Sequence, residues 1–288
     1  MIRFTCVICV LIFFAVNGYA NTTVSVVDLD GETGKVIAEK FRAQFRTAGD
    51  FVVADADLTR SAAMGVGYAG SLNLTVAEAR DLGAALATDF YLLGDARVLR
   101  RSSFEKPVYY EAYCSVFLVS SRTGRLVAWQ RPSFNNDEAG KASELLLQKL
   151  ADLSETLLVA MRRASEDERL ERTVIPTSPP PLIAEAPDDE KAAEAQGLRL
   201  PRPYRRLRPE YPKTAALADA EATVDVAVDI GADGEVGNVE IVRWAGFGLD
   251  QATVATVKQM HFFPAMKNGT AIPMRVLLRY NFRKPPKE

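Results

Sequence analysis

Few side chains in this sequence could do chemistry. There is one histidine, His261, and three cysteines, Cys6, Cys9 and Cys114. Catalysis would need a nucleophile with a base, a pair of tuned acids or a metal cluster, and this inventory supplies none of them. Cys114 lies in Tyr113-Cys114-Ser115 within a strand pattern, where a cysteine packs as a small apolar group. Gly65-Val66-Gly67-Tyr68-Ala69-Gly70 has the spacing with which glycines let a backbone approach a pyrophosphate at a helix start. However, no strand pattern runs into Gly65, and Ser71-Leu72-Asn73-Leu74 lead to a separate helix cap, so the stretch reads as a surface loop. Asp28 and Asp30 follow a strand without further ligands nearby and read as a solvated strand end. His261 reads as a surface residue. The sequence therefore offers no catalytic, cofactor-binding or metal-binding residue, and it reads as a non-enzyme.

The composition agrees with that reading. With 35 basic and 37 acidic residues, a net charge of -2 argues against a nucleic-acid partner, for which a basic excess is expected. At 288 residues and 48% apolar content, two domains of ordinary size can each bury a core. Arg3, the apolar run over residues 4–16 and Gly18-Tyr19-Ala20 form an export signal, with cleavage expected after Ala20. The run is shorter than the roughly 20 residues of a membrane-crossing helix, so a cleaved signal is favoured over an uncleaved inner-membrane anchor. The expected compartment is the periplasm.

Residues 21–172 alternate strand and helix. Residues 24–27 and 51–54 are strand-like, and 35–45 carry Ile37, Phe41 and Phe45 at helical spacing. Thr75-Val76-Ala77-Glu78 is a capping-box start to a helix presenting Ala79, Leu82 and Leu86. Strands are expected at 90–93, 108–120 and 125–130, the last two joined at 121–124. A long helix striped by Leu146, Leu150, Leu153, Leu157 and Met161 then begins near Asp137. This is an α/β domain with a mixed sheet, within an overall α+β chain. Residues 173–207 change character, with prolines at 176, 179–181, 187, 201 and 203 around an acidic, Ala-rich middle. Such a tether extends by about 3.1 Å per residue, giving it a reach of roughly 90 Å. Arg199, Arg202, Arg205, Arg206 and Arg208 follow it as a solvated cationic collar, the alternative being attraction to anionic headgroups or an acidic partner.

Residues 208–288 form a second unit. Val224, Val226, Val228 and Ile230 alternate with Thr223, Asp225 and Asp229, the period of a half-buried strand. Gly231-Ala232-Asp233-Gly234 supplies a hairpin turn, after which Val239 and Ile241 resume the alternation. Leu249, Ala252, Thr256, Val257 and Met260 recur at helical spacing, with Asp250 and Lys258 in the order the helix dipole prefers. Residues 274–282 then alternate an apolar face with a mostly cationic one. A three-stranded antiparallel sheet with one helix is expected, and its edge strands could pair with another chain.

Arg208-Pro209-Glu210-Tyr211-Pro212, followed by Phe262-Phe263-Pro264-Ala265 and Asn268-Gly269, resembles the TonB C-terminal domain family. The resemblance implies a periplasmic adaptor. In that family an extended segment of an outer-membrane transporter adds beside the final strand, which points to Arg275, Leu277, Arg279, Asn281 and Arg283, with Tyr211 and Pro212 close to the partner. Ala222 replaces the family's usual Gly and Met260 its usual Trp, both of them packing changes. The resemblance also implies an ExbB and ExbD motor as partner if the N-terminus stays anchored, although residues 4–16 lack that family's membrane His. The alternative is a non-energised structural or assembly component of an envelope complex that forms a homodimer through the same edge strand. Residues 21–165, by element order and by the passage from Ala84-Ala85-Leu86-Ala87 through Phe90-Tyr91-Leu92-Leu93-Gly94, are similar to CsgG-type and TolB N-terminal-type periplasmic domains.

Overall fold

The computed structural model describes residues 22–174, 183–187 and 190–284. The export signal and the prolines at 176 and 179–181 lie outside the described residues. In chain order the first part runs β1 (Thr22–Val26), α1 (Gly34–Thr47), β2 (Phe51–Val53), α2 (Ala56–Gly65), α3 (Val76–Leu86), β3 (Phe90–Arg101), β4 (Tyr109–Ser120), β5 (Leu126–Gln130), β6 (Ser133–Asn136) and α4 (Ala139–Thr173). The sheet order is β2-β1-β3-β4-β5, with β6 also on β4. β1 is parallel to β2 and β3, while β3, β4 and β5 pair antiparallel, so the sheet is mixed.

Both faces of this sheet are covered. Ile37, Phe41 and Phe45 of α1 and Leu146, Leu150, Leu157 and Met161 of α4 close over Val24, Val26, Leu92, Cys114 and Val116 on one face. Burial pushes the Cys114 thiol up to about 12, leaving no thiolate at neutral pH. On the other face Ala79, Leu82 and Leu86 of α3 pack on Tyr91, Leu93, Phe117 and Val119. The capping box of α3 is present in both halves, with Glu78 N–H donating to Thr75 Oγ1 and Thr75 N–H to Glu78 Oε2.

Two features go beyond the sequence reading. Helix α2 leads directly into Gly65, so a helix, not a strand, precedes the glycine loop, and Gly67 and Gly70 take positive φ there. The strand-end aspartates are paired as well as solvated: Asp28 accepts from Arg42 and Arg60, and Asp30 from Arg97. Partial burial alone would raise the Asp28 carboxyl, but the bonds from Arg42 and Arg60 hold it below the usual carboxylate range.

The second part runs β7 (Ala184–Glu185), α5 (Glu190–Ala195), β8 (Leu198–Arg199), β9 (Arg202–Pro203), α6 (Lys213–Ala218), β10 (Ala222–Ile230), β11 (Val236–Arg243), α7 (Leu249–Val257), β12 (Phe262–Phe263), β13 (Ala265–Lys267), β14 (Thr270–Ile272) and β15 (Met274–Phe282). The expected antiparallel sheet is present as β11-β10-β15, and it carries a fourth, parallel strand, β7. Asn268 and Gly269 at φ of 50 and 85 turn β13 into β14, the positive-φ pair that a tight hairpin requires. The stretch read as a tether thus differs in its second half: β7 sits on β15, β8 on β13 and β9 on β12. These added strands have two residues each, too few for any alternation to show in sequence.

The two parts meet through the turn after β11. Trp244, 1% exposed, enters the cluster formed by Leu82, Tyr91, Phe117 and Val119, and its indole Nε1 donates to the Gly124 carbonyl at 3.0 Å. Phe117 lies between Trp244, at 6.0 Å, and Phe247, at 5.4 Å. A side chain at Gly246 would collide with the Phe117 ring at 2.5 Å, so only glycine lets the turn pass. Asn73 closes the seam, donating to the carbonyls of Thr223 and Trp244 at 2.8 and 2.7 Å and accepting from Thr223 N–H.

Candidate strand-binding edge

β15 is positioned by β10 along its whole length, from Ala222 opposite Phe282 to Ile230 opposite Met274. Val276, Leu278, Tyr280 and Phe282 face the core of Val224, Val226, Val228, Leu249, Val257 and Met260. Met260 is buried in that core, with Tyr280 Oη 3.5 Å from its sulfur.

The backbone on the far side of β15 decides what the strand can do. The Arg275 carbonyl accepts from Ala186 N–H at 2.9 Å, so it points away from β10. The period-two geometry of a strand turns the amides and carbonyls of Leu277, Arg279 and Asn281 to that same side. Among the described residues, β7 is the strand paired there, and it reaches only Met274 and Arg275. A groove of about 580 Å³ runs beside the remainder, lined by Leu277, Leu278, Arg279 and Tyr280 on one side and by Pro203, Arg206 and Leu207 on the other. Among the described residues the edge therefore offers unpaired main-chain groups next to a groove of mixed apolar and cationic lining, the two elements that strand addition uses.

The cationic face of β15 is largely satisfied within the sheet. Arg275 binds Asp229 through two nitrogens at 2.5 and 2.9 Å, and Arg279 binds Asp225 at 2.7 and 3.0 Å. Asp225 is 3% exposed, and Arg243 approaches it at 3.4 Å. The hydrogen bond to Asp229 raises the already high pKa of the Arg275 guanidinium, aided by the charges of Asp229, Glu240 and Glu185, and the bond to Asp225 does the same for Arg279. Of the residues singled out in sequence, Arg275 and Arg279 are thus held in cross-strand pairs. Leu277 is 58% exposed at the groove, Asn281 accepts from Thr223 Oγ1 at 2.8 Å, and Arg283 is exposed beyond the strand end.

Tyr211 and Pro212 stand apart from the groove. The Tyr211 hydroxyl donates to the carbonyls of Ala215 at 3.2 Å and Ala220 at 2.7 Å, and its ring packs on Phe282 at 6.4 Å. Burial, then the charges of Asp219 and Glu221, raises its phenol above the usual value. Pro212 stands at the N-cap position of α6, and a Cβ on Gly248 would come within 3.4 Å of its ring. His261 is exposed, with Nδ1 3.0 Å from Glu235. Among the described residues, no group of three or more His, Cys, Asp or Glu could hold a metal ion. Sequence reasoning missed the groove wall at Pro203, Arg206 and Leu207 and the seated strand at residues 184–186. The single available signal was their closeness in sequence to the Arg208-to-Pro212 motif.

With α6 and α7 packed on a sheet whose β15 edge is paired at only two residues, the module is a small α+β unit. Residues 208–283 match the family model described as the Gram-negative bacterial TonB protein C-terminal. No curated protein matches the chain. Among solved structures, the chain is similar to the C-terminal domain of TonB from Pseudomonas aeruginosa, at 18% identity and a TM-score of 0.28, over 37% of this chain and 98% of that one. It is also similar to the LpoB C-terminal domain from Escherichia coli, at 15% identity and a TM-score of 0.29, over 40% and 84%. A third similarity is to a lipoprotein from Neisseria meningitidis, at 14% identity and a TM-score of 0.33, over 49% and 99%. Among the described residues, no helix is long and apolar enough to cross a membrane.

Proposed function

We propose that this chain is a periplasmic adaptor whose C-terminal module takes an extended segment of another envelope protein as an added strand on β15. The observation that carries the reading is the open backbone of Leu277, Arg279 and Asn281 beside the groove. The family match over residues 208–283 supports an outer-membrane transporter as the partner. In this reading Leu277 and the main chain of Arg279 and Asn281 touch the partner, while Arg275 and Arg279 keep the strand flat through their aspartates. Tyr211 and Pro212 hold the module's first turn in place and so support the edge indirectly.

The test uses Leu277→Pro. Proline there removes an outward-pointing N–H and no bond to β10, so the fold can tolerate it while the edge loses a donor. Affinity capture from detergent-solubilised envelopes should recover outer-membrane proteins with the parent chain and lose them with the variant. Equal recovery by both would end the reading. The anchoring of the Trp244 turn in the first domain favours the second reading, a structural component in which the module is fixed and self-associates through β15. Sedimentation of the purified chain separates the two, since a dimer abolished by Leu277→Pro supports self-association.

A further inference from the structure

The strand already seated on the β15 edge comes from the chain's own proline-bearing segment. Ala184–Glu185 run parallel to Met274 and Arg275, and Ala186 N–H donates to the Arg275 carbonyl. As a strand β7 is weak: it has two residues, both exposed, and Pro187 follows one residue later. Ala186 packs lightly on Ala193, Leu198, Ala265 and Met274. Glu185 stands in register with Arg275, a guanidinium already engaged by Asp229 and lying 3.8 Å from Glu240. By contrast β10 holds the opposite edge of β15 in nine consecutive register pairs.

We propose that residues 183–187 are an intrachain occupant of the strand-binding edge, displaced when a partner's extended segment runs parallel to β15 from Met274 onward. The inference rests on the strand-addition reading of that edge. It also states what the displacing segment looks like. Small apolar residues stand at the positions of Ala184 and Ala186, and an acidic residue between them meets Arg275. Further residues continue over Leu277, Arg279 and Asn281, where the chain's own segment makes no pairing. Because the occupant is tethered, its effective concentration is on the order of millimolar, so even this short strand excludes weak competitors. It yields to a segment that pairs along the full edge.

The experiment titrates the 15N-labelled chain with a synthetic peptide, Gly-Gly-Ile-Ala-Glu-Ala-Pro-Gly-Gly, while following the amide signals of Met274, Arg275 and Leu277, where the copied segment seats. Two variants open the slot in different ways. Ala186→Pro removes the N–H that binds the Arg275 carbonyl, and Glu185→Arg sets like charge against Arg275 without touching the backbone. The peptide should bind both variants at least about tenfold more tightly than the parent, the gain expected when a competing intrachain strand is removed. Equal binding to parent and variants, or binding to none of them, overturns the proposal. Envelope capture with Ala186→Pro separates this from the partner reading. Peptide discrimination without any captured outer-membrane protein leaves the intrachain strand established and the partner reading refuted.

Discussion

The C-terminal sheet ends in two unlike ways. At the β11 end the chain turns through Trp244 and Phe247 into the core of the first domain, with an indole hydrogen bond and Asn73 stitching the backbone. At the β15 end it meets two residues of its own segment, Ala184 and Glu185, the second opposite an Arg275 already bound to Asp229. The first join is made by burying aromatic surface, which is lost only with the fold around it. The second is made by backbone pairing at an open edge, which another strand can replace without disturbing either core. The module is thereby fixed at one end, while the strand on its other edge is held by only two paired residues.

The strongest way to break this comparison is Trp244→Ala. Truncating a buried tryptophan costs about 3–5 kcal/mol, and here it also leaves the Gly124 carbonyl without its donor. Chemical denaturation should show that loss, with the module melting separately from the first domain, while edge binding survives. A single, unshifted transition would mean that the seam contributes little and that the module is held elsewhere.

How far the sequence announced these features depended on their length and on what they face. The alternation in residues 222–230 and 274–282 was legible because each strand buries one face along its whole length. Even the Asp225 and Asp229 pairing with Arg279 and Arg275 was implicit in the two polar faces, although the register was not. Helix α2 was not legible, because it buries only Thr59 and Ala63 and leaves Leu58 and Met64 exposed, so no apolar stripe marks it. The role of Trp244 was not legible, because nothing local reveals that its indole partner, the Gly124 carbonyl, lies more than a hundred residues away. Strands β7 to β9 take their conformation from the edges they rest on, and such borrowed structure leaves no periodic trace.

The turn that carries Trp244 has a support that weakens as pH rises. Asp250 accepts from Ala245 and Gly246 N–H at 2.8 Å each, but burial outweighs those bonds and raises its carboxyl to about 6. A carboxyl raised in the folded state contributes stability that is fully present below its unfolded value of 3.8 and lost as pH rises through about 6. From that shift the stability advantage of the parent over Asp250→Asn should shrink by up to about 3 kcal/mol between pH 4 and 7. Carboxylates held low, such as Asp28 and Glu78, act in the opposite sense, but they are common to both chains and cancel in the difference. A pH-independent difference would mean that Asp250 is not desolvated and that the turn is looser than the seam requires.

At the other end, Arg279→Ala removes one guanidinium from the buried Asp225 and leaves Arg243 beside it. Arg279 is itself largely exposed, so solvent replaces part of what is lost and only a modest loss of stability is expected. The useful reading is comparative, since Arg275→Ala should cost less, Asp229 being the more exposed of the two aspartates. Thermal melts of the two variants would check the order, and a reversed order would shift the weight of the strand toward the end where β7 sits.

The smallest effect concerns β7, and native-state hydrogen exchange reads it. A single edge hydrogen bond is worth about 1 kcal/mol or less, so opening the Ala186 N–H should require only that much. The amides of Val226 and Val228, between β11 and β15 at the centre of the sheet, should open only with the module as a whole. Exchange at Ala186 should therefore run several orders of magnitude faster than at Val226, and Trp244→Ala should leave it unchanged. Were Ala186 as protected as Val226, the β15 edge would be as permanently closed as the Trp244 seam, and the two ends of the sheet would be physically alike.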